Sequence, residues 1–501
     1  LRNQFTTPKI KKGKHMAGRF LSLFKPLSRV MPEVATPARK VGFNEKLFWT
    51  AIALILYLVM AEVPLYGVGK GGWDLTYLRI IFASNRGSLM ELGIGPIVTA
   101  GLILQLLSGS GIIGCDMSDP DDRALFTTAS KFFSILMTGV QAGAYLIGGV
   151  YNQTDPTTGV VTLLPVGAIF IIFFELLFAG IIVMMLDELV QKGWGIGSGI
   201  SLFIMAGVAQ QIFWQSFAPY IVGDGNTYGA IIAFLQSIAK GSPGSVFLRT
   251  GGFPSILGLL TTLAVFIIVI YVEGVRVELP IAHAQYRGFR GRYPIKLLYV
   301  SNLPVIFASA LFANIYFISQ LLWNSAGQPI PGRNFLLDII GQYQVTASSS
   351  GQSQITPIGG LAYFVTAPRD ISNVVADPLR ALGFAGIMIT FCIVFSLTWL
   401  EVGGLGPSTV AKQLVDSGMQ IPGFRRSGKP IELLLKRYIP TVTIVGGFIV
   451  GLIAAVSDFF GVFGSGMGVL LSVGILYQYY ELLMQERVAE MYPALRSFFG
   501  G

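Results

Sequence analysis

Ten stretches of this chain are apolar over roughly the length a helix needs to cross a lipid bilayer: 46–66, 92–107, 129–150, 161–187, 197–217, 254–275, 301–323, 382–403, 438–457 and 464–484. Hydrocarbon offers no water to unpaired backbone groups, so a crossing segment must satisfy its hydrogen bonds internally, as a helix does. The 501 residues are 53% hydrophobic and only 12% charged, about half the charge of a soluble domain. The chain therefore reads as an all-α polytopic membrane protein with ten transmembrane helices.

One span is interrupted. Leu92-Gly93-Ile94-Gly95-Pro96-Ile97-Val98-Thr99-Ala100-Gly101 is apolar but rich in glycine and carries a proline, the residues least suited to a continuous helix. Broken backbone at membrane depth is tolerated where protein or a water-filled cavity surrounds it. A related pattern recurs five spans later, where VSNLPVIFASALFANI echoes LGIGPIVTAGLILQLL. Likewise Gly197-Ser198-Gly199-Ile200 at the start of span five matches Gly464-Ser465-Gly466-Met467 at the start of span ten. An offset of five reverses direction through the membrane, so the spacing predicts two inverted five-helix halves, 46–250 and 251–501, with interrupted segments at matching places beside a central pathway.

Ten spans leave both termini on one side. Most of the 35 Lys and Arg fall in the N-terminal segment, in the loops after even-numbered spans and in the tail, which places both termini in the cytoplasm. Residues 20–31 read as a cytoplasmic amphipathic helix at the membrane surface within a segment covering 16–45. Residues 1–15 read as an added leader or a disordered basic arm ahead of a start near Met16. Residues 74–86 form a helix too short to span, and 334–342 a surface helix. The run Gly67-Val68-Gly69-Lys70-Gly71-Gly72 fits G-x-G-x-x-G but has no strand before it, so it is no dinucleotide site.

Catalytic motifs are not found, and with His15, His283, Cys115 and Cys392 in no ligand spacing, neither a metal nor a cofactor is expected. Both cysteines read as free structural thiols. Glu175 is the one carboxylate near the middle of a span, and it keeps open the alternative of an ion-coupled secondary transporter of a small solute. Thr99, Gln141 and Asn314 lie inside spans two, three and seven, either as interhelical hydrogen bonds or as a polar seam that opens. Ile94/Val98 and Ile200/Ile204 are i, i+4 pairs on single helix faces, fit for core or lipid contact or for a hydrophobic constriction. The basic loops with Arg287, Arg290, Arg292 and Lys296 and with Arg425 and Arg426 suit anionic headgroups or a polyanion such as ribosomal RNA.

Several motifs carry a resemblance: PEV at 32–34, LGIGPIVTAG, QLLSGSGII at 105–113, GIGSGISLF, YPIKLLYVSNLPVI at 293–306, FAN at 312–314 and PGFRRS at 422–427. From about residue 20 onward the chain resembles SecY, the large subunit of the protein-conducting channel, most closely its archaeal branch, which is also similar to the endoplasmic-reticulum subunit. The resemblance implies a central pore-forming subunit, not an enzyme, that passes unfolded secretory polypeptides across the membrane and releases transmembrane segments sideways into lipid. It places a pore ring at Ile94, Val98, Ile200, Ile204, Ile306 and Leu471. A plug helix falls on 75–86, with Leu75, Leu78, Ile80, Ile81, Phe82 and Arg86. The lateral gate falls on spans two, three, seven and eight with Thr99, Gln141 and Asn314, and the ribosome-facing loops carry Arg287, Arg290, Arg292, Lys296, Arg425 and Arg426. Expected partners are the SecE (gamma) subunit, a small beta subunit, the ribosome and its RNA, signal sequences, nascent polypeptides and membrane lipid. The expected location is the cell membrane, or the endoplasmic reticulum membrane in a eukaryote. Glu175 departs from the amide expected at its position.

Overall fold

A helix forms in each of the ten apolar stretches in a computed structural model of the chain. They are α1 (Phe43–Glu62), α2 (Gly95–Gly109), α3 (Pro120–Ile147), α4 (Val166–Leu189), α5 (Gly199–Phe217), α6 (Ile256–Gly274), α7 (Leu303–Ser325), α8 (Pro378–Val402), α9 (Gly428–Phe459) and α10 (Gly466–Met491). The structure describes residues 19–68, 87–109, 112–113, 120–148, 151, 153–154, 161–162, 164–221, 225–241, 244–249, 253–283, 290–300, 303–326, 335–347, 353–368, 371–416, 419–420 and 428–491. Eight of the helices are long and apolar enough to cross a membrane. The other two are α2, whose 15 residues reach only about 22 Å, and α3, whose 28 residues begin with the charged Asp121-Asp122-Arg123.

The boundaries follow local chemistry. α1 ends at Glu62 because Pro64 drives Val63 into extended backbone at φ −76°, ψ 116°. α8 starts at Pro378, whose missing N–H costs nothing in a first turn, and Asp377 caps it by accepting from the Arg380 N–H at 3.2 Å. α2 starts three residues later than the apolar run, at Gly95, because Gly93 sits in the left-handed region at φ 53°.

Four features differ from the sequence reading. The amphipathic helix of residues 20–31 is only a turn at Arg19–Ser22 and a 3-10 turn at Leu27–Arg29, parted at Pro26, since proline cannot continue a helix begun before it. Its apolar side chains Leu21 and Phe24 pack on Leu104 of α2 and Ala129 of α3 rather than on lipid. The basic segment after α6 is an antiparallel ribbon, β3 (Arg276–His283) on β4 (Arg290–Lys296) in the register Arg276 to Lys296, edged by β7 (Met419–Gln420). The polar stretch before α8 holds a helix at Phe335–Ile340, as expected, and then a hairpin of β5 (Gln342–Ala347) and β6 (Ser353–Gly359). A further pair, β1 (Gln153–Thr154) and β2 (Val161–Thr162), occupies the start of what read as span four.

Helix contacts repeat with the offset the motifs suggested. α1 packs on α4 and α5, α2 on α3, α3 on α4 and α4 on α5; α6 packs on α9 and α10, α7 on α8, α8 on α9 and α9 on α10. The halves meet where α2 touches α7 and α8 and where α5 touches α10. At that second contact the Tyr479 hydroxyl of α10 donates to the Ser198 carbonyl at the start of α5 (2.8 Å). The Gly464 N–H at the start of α10 in turn donates to Gln215 Oε1, late in α5 (3.1 Å). Each helix thus begins roughly 20 Å along the other, so the two run antiparallel and the second half is inverted relative to the first.

The packing of α8 on α9 rests on small residues. A Cβ on Gly447 would lie 2.7 Å from Ser396 Oγ, and one on Gly451 would lie 2.8 Å from the Ile389 Cα. This Gly447-x-x-x-Gly451 stripe lets two backbones touch where lipid supplies no hydrophobic drive between helices.

Candidate pore, gate and cytoplasmic strap

The segment leading into α2 is held as a rigid turn. Leu65 N–H donates to the Gly87 carbonyl (2.7 Å), Leu89 N–H to the Val63 carbonyl (2.9 Å), and the Gly87 N–H to the buried Glu91 carboxylate. That turn delivers Ile94 fully buried, with no exposed surface. Ile204 of α5 and Leu471 of α10 are buried beside it in the same apolar cluster, against which the half-buried Val98, Ile200 and Ile306 also pack. All six aliphatic side chains read as a ring therefore belong to, or pack against, the large central core to which all ten helices contribute.

Where α2 meets α7, two of the three polar residues singled out from sequence touch. The Asn314 amide donates to Thr99 Oγ1 at 3.3 Å and to the Ala310 carbonyl at 2.7 Å. Thr99 and Gln141 are both buried, Gln141 on α3 beside α2. Toward the same boundary a small gap is lined by Leu102, Gln105, Leu106, Phe307, Phe395, Thr398 and Trp399. Among the described residues the boundary of α2 with α7 and α8 is thus bridged by the Asn314 to Thr99 hydrogen bond and bordered by this gap.

The turns that open α5 and α10 share a constellation no motif search revealed. Ahead of α5, Ile196 N–H donates to Thr50 Oγ1 of α1 (3.0 Å), Gly197 takes φ 75°, and Asp187 Oδ1 of α4 accepts the Ile200 N–H (2.9 Å). Ahead of α10, Phe463 N–H donates to Thr262 Oγ1 of α6 (2.9 Å), Gly464 takes φ 73°, and Asp458 Oδ1 of α9 accepts the Gly466 N–H (2.6 Å). In the sequence Asp187 and Asp458 are simply carboxylates near span ends, ten and six residues ahead of the two Gly-Ser-Gly runs, so no common spacing marks them.

A strap at 32–35 crosses the ends of α3 and α4. Glu188 pairs with Lys131 of α3 (2.6 Å) and with Lys192 (2.9 Å), and it accepts the Val34 N–H at 3.4 Å. Lys192 also pairs with Glu33 and donates to the Val34 carbonyl (2.7 Å), and Trp194 Nε1 donates to the Ala35 carbonyl (2.7 Å). The hydrogen bond and charge of Lys192 hold the Glu33 carboxyl below the usual glutamate range.

Other expected site residues fare differently. Glu175 accepts the Tyr66 N–H at 3.0 Å, tying α4 to the chain just beyond α1, in a groove lined by Val63, Pro64 and the exposed Phe170, Phe174 and Phe178. Lys296, read as a cation of the ribosome-facing loop, pairs with Glu481 of α10 (3.0 Å) and sits over the Tyr477 ring (5.3 Å from its centroid). Arg290 and Arg292 lie on β4. Arg287, Arg425 and Arg426, the leader or arm at 1–15, Cys115 and the plug residues Leu75, Leu78, Ile80, Ile81, Phe82 and Arg86 lie outside the described residues. Cys392 is a buried free thiol.

Two inverted helical halves that share one large apolar core make a multi-pass helical membrane protein. The chain belongs to the SecY/Sec61 alpha family: the SecY family model matches residues 88–480, and the plug domain of Sec61p matches 55–87. It is 43% identical to the protein transport protein Sec61 subunit alpha of Dictyostelium discoideum over 94% of this chain and 98% of that protein. It is 42% identical to the protein translocase subunit SecY of Pyrococcus furiosus over 95% and 98%, so eukaryotic and archaeal relatives are equally similar. Among solved structures it resembles Sec61 in the canine ribosome-channel complex from the endoplasmic reticulum, with TM-score 0.74, 37% identity, and coverage of 94% of this chain and 98% of that one. This is a family of protein-conducting channels, not of enzymes.

Proposed function

We propose that this chain is the pore-forming subunit of a protein translocation channel, with Ile94, Val98, Ile200, Ile204, Ile306 and Leu471 as its seal. The observation that supports the reading is that Ile94, Ile204 and Leu471, from both halves, are buried in the central apolar core and Val98, Ile200 and Ile306 pack against it. An aliphatic ring offers an ion no replacement for its hydration shell and can yield around an extended chain, so it seals without selecting sequence. Leu75 to Arg86 act as the plug beneath it. Both termini face the cytoplasm, and the halves divide near residue 250. Membership of the channel family leaves the small-solute transporter alternative without support, and no catalytic step is assigned to the chain.

The gate is the boundary of α2 and α3 with α7 and α8, and the Thr99–Asn314 hydrogen bond supports this reading, with Gln141 buried behind it. Opening there exposes an apolar segment in transit to lipid, which favours its release by several kcal/mol for about 20 apolar residues. Arg287, Arg290, Arg292, Arg425 and Arg426 face the ribosome, as a relative does in the canine complex. SecE (gamma) and a small beta subunit complete the channel, and signal sequences and nascent chains are its cargo.

The test is crosslinking from cysteines at positions 94 and 306 to a secretory chain stalled in transit. Crosslinks from both sites are expected; a stalled chain that reaches neither would remove the pore assignment.

A further inference from the structure

The paired constellations at the starts of α5 and α10 point beyond the ring itself. Each has a threonine on the first helix of its half, Thr50 or Thr262, that accepts an N–H just ahead of the left-handed glycine. Each has a carboxylate late in the fourth helix of its half, Asp187 or Asp458, that accepts an N–H of the first turn. Both carboxylates are buried, at 8% and 2% exposed. Neither turn has room for change: a Cβ on Gly199 would lie 2.6 Å from the Asp187 Cα, and one on Gly466 would lie 2.5 Å from the Ser457 Cβ.

What the collars hold is the seal. The N–H bound by Asp187 belongs to Ile200, itself a ring residue, and Ile204 lies one turn further along the same helix face. The N–H bound by Asp458 belongs to Gly466, and Leu471 follows after more than one turn. An N-cap fixes the donors of a first turn that have no intrahelical partner, and its loss frays that turn before any other.

We infer that Thr50 with Asp187 and Thr262 with Asp458 are positioning residues of the pore ring. Two matched collars set where α5 and α10 begin, so that Ile200, Ile204 and Leu471 meet the aliphatics of α2 and α7 in the resting channel. The inference rests on the pore reading of those side chains. It carries an asymmetry: fraying α5 displaces Ile200 directly, whereas fraying α10 reaches Leu471 only through a second turn, so the first collar controls the seal more strongly.

The test is the resting conductance to potassium chloride of the full channel complex in planar bilayers, alongside its melting temperature. Asp187→Ala raises the leak about fivefold, the ratio expected for loss of one cap, and Asp458→Ala raises it less. Asp187→Asn keeps an oxygen acceptor and restores the seal, a rescue that general loss of packing would not produce. The ring variant Ile94→Gly/Ile306→Gly serves as reference. If it leaks while Asp187→Ala does not, the collar inference fails and the pore stands; if it does not leak, the pore reading fails first. Should Asp187→Ala not assemble, Thr50→Val and Thr50→Ser probe the same collar. A leak from valine alone supports the inference, and a tight channel from both overturns it.

Discussion

Asn314 shows how much one side chain in the seam decides. Its amide satisfies both Thr99 and the Ala310 carbonyl, and such interhelical bonds contribute about 0.6 kcal/mol on average in membranes. Asn314→Ala leaves the Thr99 hydroxyl behind in an apolar boundary and favours the open gate, whereas Thr99→Val with Asn314→Leu removes both polar groups and favours the closed one. The double-mutant cycle, read as resting open probability in single-channel records, should show the two single changes to be non-additive. A purely additive cycle would mean that the hydrogen bond does not hold the seam. Gly451 is decisive in a different way, since any Cβ there meets the Ile389 backbone. Gly451→Val should destabilise the chain by about 1–3 kcal/mol through overpacking, seen as a lower melting temperature in detergent. These residues differ in legibility. Asn314 and Thr99 stood out because a polar side chain within an apolar span demands a partner. Asp187 and Asp458 did not, because a carboxylate near a span end has many ordinary uses, and the sequence does not reveal which N–H it faces.

Among the elements, the strap of residues 32–35 is the clearest pH-sensitive piece. The Glu33 carboxyl lies below its usual range because Lys192 favours its charged form, so its folded pKa is depressed relative to the unfolded chain. The stabilisation is therefore present above the ordinary glutamate range and is lost as pH falls through the lowered folded value. The protection of the Val34 amide against hydrogen exchange, corrected for the intrinsic pH dependence of exchange, should fall on acidification through that window, and Glu33→Gln should remove the dependence. An unchanged profile in the variant would assign the effect to another group. The tripeptide PEV flagged this segment, yet its role as a strap was hidden because Lys131, Glu188 and Lys192 are far from it in sequence. The nearby amphipathic pattern was also misleading: periodicity placed a helix on lipid, while Pro26 split it and Leu21 and Phe24 found protein instead. The basic segment after α6 had a sign but no pattern to announce a ribbon, since alternating charge and proline suit many loops.

At the scale of the whole molecule the two halves are joined by two contacts of different kinds. The α5 to α10 contact is fastened at both ends, by Tyr479 to Ser198 and by Gln215 to Gly464, while α2 meets α7 and α8 along a boundary with an apolar gap. The molecule should therefore open like a clam, hinged on α5 and α10 and parting at α2. Cysteines replacing Leu102 and Phe395, joined by a short cleavable bifunctional thiol reagent, should stop translocation of a secretory precursor and release it on cleavage. Undiminished translocation in the joined protein would place the opening elsewhere. By itself the sequence determined the membrane class, the ten helical stretches and the offset of five, because apolar length, proline and glycine act locally and leave local marks. Only the tertiary structure decided that the repeat is carried by two threonine and carboxylate collars, that Lys296 is committed to Glu481, and that Glu175 binds the Tyr66 N–H beyond the end of α1. Those outcomes depend on which donor meets which acceptor in space, for the threonines, Lys296 and Glu175 across more than a hundred residues, and a one-dimensional pattern carries no record of that meeting.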